Sequence, residues 1–202
     1  LPAFIGFLHG DIIAGLLLGG LLRLVLSQHA TYLINSLAHM WGTRPYSDNS
    51  SARDNTLLAL ITYGEGYHNY HHTFQWDYRN GIRWWHFDPT KWLIRSLERA
   101  GLASGLKRCA PDKIERAKLE RQFQLATEKC ERLAVEGDWQ SRLETEYEAL
   151  LHTVQQWAEH RQAWYEAKGK ELQEHLSHLE KQQLKAHYLE FKYKLKLQKQ
   201  RW

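Results

Sequence analysis

His68-Asn69-Tyr70-His71-His72 places three imidazoles within five residues. On a helix, positions i, i+3 and i+4 share a face, so all three rings can be aimed at one small volume. Packing them together without a ligand would leave polar nitrogens unserved, and neutral imidazole is a favoured ligand for iron or zinc. A fourth histidine closes the string Asn35-Ser36-Leu37-Ala38-His39, with Asn35 one helical turn before it. Alone, His39 reads as a satisfied core or interfacial residue. Glu65, between Gly64 and Gly66, has two readings: a carboxylate accepting an N–H from a ligating ring, or a turn residue.

The elements that must carry these residues begin with an apolar stretch. Leu1 to Leu8 holds no charge, Asp11 interrupts, and Ile12 to Leu22 continues uncharged. Extended through Ile34, this gives about 23 residues against the roughly 20 that a bilayer-spanning helix needs. The soluble alternative is a core helix with a glycine-rich face of Gly15, Gly19 and Gly20. The spacing of Gly15 and Gly19 would let a neighbouring helix approach closely. Arg23 near the end of the span can snorkel to headgroups, and with Arg44 and Arg53 it predicts a cytoplasmic C-terminal side. The first residues carry neither the basic region nor the cleavage site of a secretory signal, so the expectation is a fragment whose N-terminus lies upstream.

Beyond the span, 41–56 reads as a polar, turn-rich connection. A short helix is predicted over Asp54 to Thr62, and an amphipathic one over Lys91 to Ala100. Ala110-Pro111-Asp112 marks a boundary. The chain past it is a different material: 112–202 holds 17 Lys/Arg and 16 Asp/Glu, whereas 1–26 holds two charged residues. One apolar stripe runs through Leu119, Phe123, Ala126, Cys130 and Leu133. A second runs through Trp139, Leu143, Tyr147, Leu150, Val154, Trp157 and Trp164, with Arg161 in its one gap. Gly169 is expected to precede a third helix carrying Leu172, Leu176 and Leu179. The pattern predicts a helical hairpin plus a basic C-terminal helix, packing on itself or on a partner.

The net charge of +4 is concentrated in 181–202, which holds seven basic residues against one acidic. That end, with Tyr188, Phe191 and Tyr193 interleaved, suits either a solvated helix end or contact with anionic lipid or nucleic acid. No nucleic-acid module is recognisable. Cys109 and Cys130 exclude a disulfide scaffold, and nine Trp exclude a wholly disordered chain. His29 is read as a helix-surface histidine and His86, after Trp84-Trp85, as part of an interfacial aromatic belt. His152, His160, His175, His178 and His187 are read as solvated.

Several strings resemble the C-terminal half of the membrane acyl-CoA desaturases of the stearoyl-CoA Δ9 type. They are Thr31 through His39, then Ala52-Arg53-Asp54-Asn55, and Gly64-Glu65-Gly66-Tyr67-His68-Asn69-Tyr70-His71-His72-Thr73-Phe74. Asp77-Tyr78-Arg79-Asn80-Gly81 and Asp88-Pro89-Thr90-Lys91-Trp92 look like the bacterial branch. The resemblance covers about residues 1–108. It implies an all-α membrane core over 1–106, with a transmembrane helix at about 12–34 after the end of a preceding one. A cytosolic cap over 35–106 and a charged helical tail over 107–202 would follow.

For the site, the resemblance implies two iron ions held by histidines, with His39, His68, His71 and His72 as ligands, Asn35 acting through water, and Thr31 and Tyr32 lining the acyl tunnel. The implied partners are a fatty acyl-CoA, O2, membrane lipid and an electron-donor protein of the ferredoxin or cytochrome b5 kind. The implied location is a membrane, multi-pass in the whole protein, in bacteria the inner membrane. The role carried over is ligation, and no catalytic side chain is assigned. Such enzymes also carry an HxxxxH and an HxxHH box upstream, and neither occurs here, so half of the metal cage is expected to be absent and the chain inactive by itself. Rival readings are a membrane hydroxylase with similar boxes and a noncatalytic membrane adaptor whose helical tail binds partners.

Overall fold

The computed structural model describes residues 1–171 and 178–201. Among them there are helices and no strands; the only extended pairings are isolated bridges of Asp54 with Thr43 and with Tyr67. Two compact units divide the chain, Leu1–Arg108 and Cys109–Trp202.

In the first unit, Pro2–Leu8 forms α1, with proline at its first position, where no N–H is needed. Gly10, at φ +82°, turns the chain back. Asp11 then caps the next helix by accepting from the Ala14 N–H at 2.9 Å. That helix begins as α2 (Ile12–Ala14), widens into a π-helical stretch, Gly15–Leu22, and continues as α3 (Arg23–Asn35). The backbone stays helical through both junctions. Ser36 bends the axis before α4 (Leu37–Met40). The whole run, Ile12–Met40, is long and apolar enough to cross a membrane.

Gly15 is where α1 lands. A Cβ added at Gly15 would lie 2.6 Å from both the Gly6 Cα and the Pro2 carbonyl oxygen, and one at Gly6 would lie 2.9 Å from the Gly15 Cα. The small-residue spacing therefore admits a helix, and that helix is α1. Arg23 is exposed. Its Nε donates to the Gly19 carbonyl at 3.2 Å, a local partner beside the altered π register.

Three short helices follow: α5 (Thr56–Ile61), α6 (His68–Thr73) and α7 (Pro89–Arg99). Each has a carboxylate or amide near its start. Asn55 caps α5 through the Leu58 N–H at 3.1 Å, and Asp88 caps α7 through the Lys91 N–H at 2.9 Å. Tyr67 at the start of α6 supplies no cap; Asp54, 16 residues from Tyr70, accepts the Tyr70 N–H at 3.1 Å instead.

The second unit holds α8 (Pro111–Arg132), α9 (Trp139–Glu171) and α10 (His178–Arg201). Its core is Leu119, Leu150, Val154, Trp157 and Leu195, with Tyr147, Tyr188 and Phe191 packed against it. Arg161, the gap in the α9 stripe, pairs with Asp112 and lies 5.4 Å over the Trp157 ring. Gly169 does not begin a new helix. It lies inside α9, because a single glycine costs about 1 kcal/mol in a helix, which 33 residues of continuous helix absorb. Leu172, Leu176 and His175 lie outside the described residues.

Candidate metal centre

The site joins two short helices that lie 29 residues apart in sequence. α6 begins with His68, and its Nε2 lies 3.1 Å from the Nε2 of His39 on α4 and 3.1 Å from the Nε2 of His72 one turn along α6. The ligand atoms of these three histidines all lie within 4.8 Å of one another. Neutral imidazole nitrogens converging in this way form a donor set for a soft-to-borderline transition metal.

His71 is not part of that convergence. Its ring stacks on His68 at 6.1 Å between centroids and lies 5.9 Å from His72. Helical geometry explains the difference: at about 100° per residue, His72 falls roughly 40° to one side of His68 and His71 roughly 60° to the other. The three rings of the string share a face but do not reach one point, and His39 takes the third place.

Burial and neighbouring rings disfavour protonation of two of these histidines. Burial pushes the His68 pKa down to about 4, reinforced by the charges that His72, His39 and His71 would carry if protonated. His72 is lowered for the same reasons, partial desolvation first and then His71 and His39. His68 and His72 therefore each keep a ring nitrogen unprotonated and free to ligate. His68 Nδ1 is buried with no hydrogen-bond partner. The residues fit a bound metal ion through their donor set, three imidazole Nε2 atoms converging from two helices.

The scaffold around the rings is largely polar and buried. His39 Nδ1 lies 2.9 Å from Ser51 Oγ. Ser51 sits on the loop that Asn69 fastens: Asn69 Nδ2 donates to the Ser47 and Ala52 carbonyls at 2.7 and 3.0 Å, and its Oδ1 accepts from the Tyr46 and Ser47 N–H groups at 3.0 and 3.4 Å. Arg53 N donates to the carbonyl of Ala38, next to His39, at 2.7 Å. Residues 53–55 are thus a hub: Arg53 holds α4, Asp54 caps α6 and Asn55 caps α5. Burial raises the Asp54 pKa to about 6, against the lowering effect of the Tyr70 and Asn69 N–H groups.

The glycines of the Gly64-Glu65-Gly66 turn are set by contact. A Cβ at Gly66 would meet the Ala59 nitrogen at 2.2 Å, and one at Gly64, at φ +102°, would meet Asp88 at 3.0 Å. Asp88 is fully buried and accepts from the Asn80, Gly81 and Lys91 N–H groups, each at 2.9 Å. Lys91 Nζ donates to the Gly81 and Arg83 carbonyls at 2.6 and 3.0 Å. Asp77 accepts from Tyr70 OH at 2.7 Å and binds Arg79, so the α6 helix is tied down at its far end too.

Glu65 Oε1 accepts from Asn80 Nδ2 at 2.7 Å, which engages it in the turn between the glycines and the 80s loop. Asn35 turns back onto α3, its Nδ2 donating to the Thr31 carbonyl at 3.3 Å. Thr31 Oγ1 donates to the Ser27 carbonyl at 3.0 Å, and Tyr32 is exposed near His29. His86 stacks on Tyr67 at 4.4 Å between centroids, a scaffold contact away from the imidazole cluster.

Sequence reasoning missed Ser51, Asn69 and Asp54 as site residues. For Asn69 the signal was present, an amide between ligand histidines on a helix with a buried face.

The profile of the family described as fatty acid desaturase matches residues 1–104. The chain belongs to this family. Named relatives agree: acyl-CoA desaturase 1 of Saccharomyces cerevisiae is 44% identical over 117 residues, 58% of this chain and 23% of the relative. Stearoyl-CoA desaturase 5 of Homo sapiens is 45% identical over 101 residues, 50% of this chain and 31% of the relative. The acyl-CoA C20 Delta5-desaturase of Anemone leveillei is 40% identical over 101 residues, 50% of this chain and 32% of the relative. The chain spans about a quarter to a third of the length of these relatives. A desaturase-family chain with one helix able to cross a membrane is a membrane protein, and its histidine cluster could hold metal.

Proposed function

We propose that this chain is the C-terminal portion of a di-iron acyl-CoA desaturase that places a cis double bond, at Δ9, in a saturated fatty acyl thioester. The supporting observation is the convergence of the His39, His68 and His72 Nε2 atoms from two separate helices. In this reading His39, His68, His71 and His72 hold iron, and Asn35 contributes through a water. When bound, iron with O2 supplies an oxidant strong enough to break unactivated C–H bonds, which no organic side chain offers. In the overall balance the acyl chain loses two hydrogens, O2 accepts four electrons and becomes two waters, and an external donor protein of the ferredoxin or cytochrome b5 kind supplies the other two electrons with two protons from solvent.

The chain's own residues bind and orient. With Nδ1–H directed at Ser51 Oγ, the His39 ring is fixed with its Nε2 lone pair facing the cluster. Burial disfavours protonation of His68, so a proton does not compete for its ligating nitrogen at neutral pH. Thr31 and Tyr32, at the end of the apolar helix, line the acyl chain, and Glu65 acts on a ligating ring from the turn. The remaining ligands come from a polypeptide segment carrying HxxxxH and HxxHH boxes. The enzyme sits as a multi-pass protein in the membrane, the bacterial inner membrane where the host is bacterial, with residues after about 34 in the cytoplasm.

The test is expression of the chain joined to such a segment, with analysis of cellular acyl chains. A new double bond that disappears in the His68→Ala variant is the expected result. A hydroxylated chain without a double bond assigns the protein to the hydroxylases and overturns the reading.

A further inference from the structure

The basic end of the second unit has two faces that the sequence alone could not separate. Tyr188, Phe191 and Leu195 of α10 turn inward onto the core made with α8 and α9. Leu189, Tyr193 and Leu197, spaced four apart, turn outward and are 50%, 62% and 41% exposed. One aromatic of the interleaved set is therefore on the surface, and it lies in the middle of an apolar stripe. Lys185, Lys192 and Lys196 are exposed and run along one flank of this stripe, about 60 to 100° around the helix from Tyr193. Glu190 and Lys194 occupy the other flank. The segment 181–202 carries seven basic residues and one acidic.

We infer that the outward face of α10 is an interfacial docking surface for anionic lipid headgroups, with Leu189, Tyr193 and Leu197 entering the headgroup boundary and Lys185, Lys192 and Lys196 pairing with phosphates. A narrow apolar stripe edged by lysines suits a helix lying in the plane of a membrane surface. Juxtamembrane lysines are drawn to anionic leaflets. Because the inner face is held by the α8–α9–α10 core, the stripe is presented ready-formed, and little ordering cost accompanies docking. A bilayer is at hand, since the same chain carries a helix able to cross one. This surface is independent of the iron reading: it holds or fails whatever metal the histidines bind.

The experiment uses the full chain, reconstituted in nanodiscs of phosphatidylcholine with or without phosphatidylglycerol, with a photo-crosslinking p-benzoylphenylalanine in place of Tyr193. Illumination and intact-mass analysis identify what lies against the stripe. The expected result is a lipid adduct in the anionic discs that falls at least about tenfold in phosphatidylcholine alone. Taking roughly fivefold per lysine near an anionic surface, the combined Lys185→Gln, Lys192→Gln and Lys196→Gln variant lowers partitioning about a hundredfold, while Lys194→Gln, at a lysine whose ammonium lies 5.8 Å over the inward-facing Phe191 ring on the flank that also carries Glu190, lowers it less than any one of these three. Leu189→Ser with Leu197→Ser removes apolar contact at constant charge and also lowers the adduct, with helicity checked by far-UV circular dichroism. Equal adducts in both lipids, an adduct to a second copy of the chain, or no adduct at all overturns the proposal.

Discussion

Ser51 Oγ lies 2.9 Å from Nδ1 of His39, on the opposite side of the ring from the Nε2 that meets His68 at 3.1 Å. A hydroxyl in that place holds the rotation of the imidazole, and when it accepts from Nδ1–H it leaves the Nε2 lone pair for the cluster. Replacing Ser51 with alanine leaves the ring free to turn and to protonate Nε2. Partners of ligating histidines of this kind contribute about 10 to 100-fold in metal affinity, so Ser51→Ala is expected to weaken iron binding by that factor. Thermal stability should barely change, because Ser51 is at the surface. Calorimetric titration of the apo chain with Fe(II) checks it, and an unchanged affinity would remove Ser51 from the site.

Asn69 is 1% exposed and uses its amide fully, two donations and two acceptances, to join α6 to the 46–52 loop. Asn69→Ala strands buried peptide groups at both ends of that loop. The expected loss is about 3 kcal/mol of stability, together with weaker metal binding, because Ser51 loses its anchor. Asn69→Asp keeps the acceptor but sets a buried carboxylate oxygen against the Ser47 and Ala52 carbonyls, so it should melt no higher than the alanine variant at neutral pH.

The histidine helix was legible because a local spacing encodes it, and the apolar span because hydropathy does. His39 was legible as a ligand only through resemblance. Nothing local links it to His68, and the link is made by Arg53 N on the Ala38 carbonyl and by Asp54 capping α6. Asp54 and Asp88 both cap helices, Asp54 from a distance and Asp88 while fully buried. A capping contact from 16 residues away leaves no periodic trace. The convergence of three nitrogens instead of four followed from the 100° helical step and was available in principle.

Gly66 packs its Cα against α5, where a Cβ would sit 2.2 Å from the Ala59 nitrogen and 2.6 Å from the Ala59 Cα. Both contacts are backbone, so no side chain can swing aside. Gly66→Ala should therefore shift α5 relative to α6 and cost about 1 to 3 kcal/mol, in the range of overpacking. Gly20→Ala, with open space around its Cβ position inside the helical stretch Gly15–Leu22, serves as the control and should leave the melting temperature unchanged or raise it.

Two buried groups around the site titrate in opposite senses. His68 is lowered from 6.5 to about 4, so the folded chain binds its proton less well than the unfolded one. Its contribution to stability is present above pH 6.5 and is lost as the pH falls toward 4. Asp54 is raised from 3.8 to about 6. Its contribution is present below pH 3.8 and is lost as the pH rises through 6. At about 1.4 kcal/mol per pKa unit each effect reaches roughly 3 kcal/mol at most, over nearly the same window and with opposite sign. The apo chain should therefore show only a shallow dependence between pH 4 and 6.5, with His72, lowered in the same sense as His68, tilting it toward greater stability at higher pH. Asp54→Asn keeps an oxygen to accept the Tyr70 N–H but removes the titration. In that variant the histidine dependence, His68 with His72 in the same sense, stands without its opponent: stability at pH 7 is retained or raised, and it falls steadily as the pH drops below 6.5. Thermal melts of both proteins across that range check the cancellation. A variant as flat as the native chain would mean that His68 is no harder to protonate folded than unfolded.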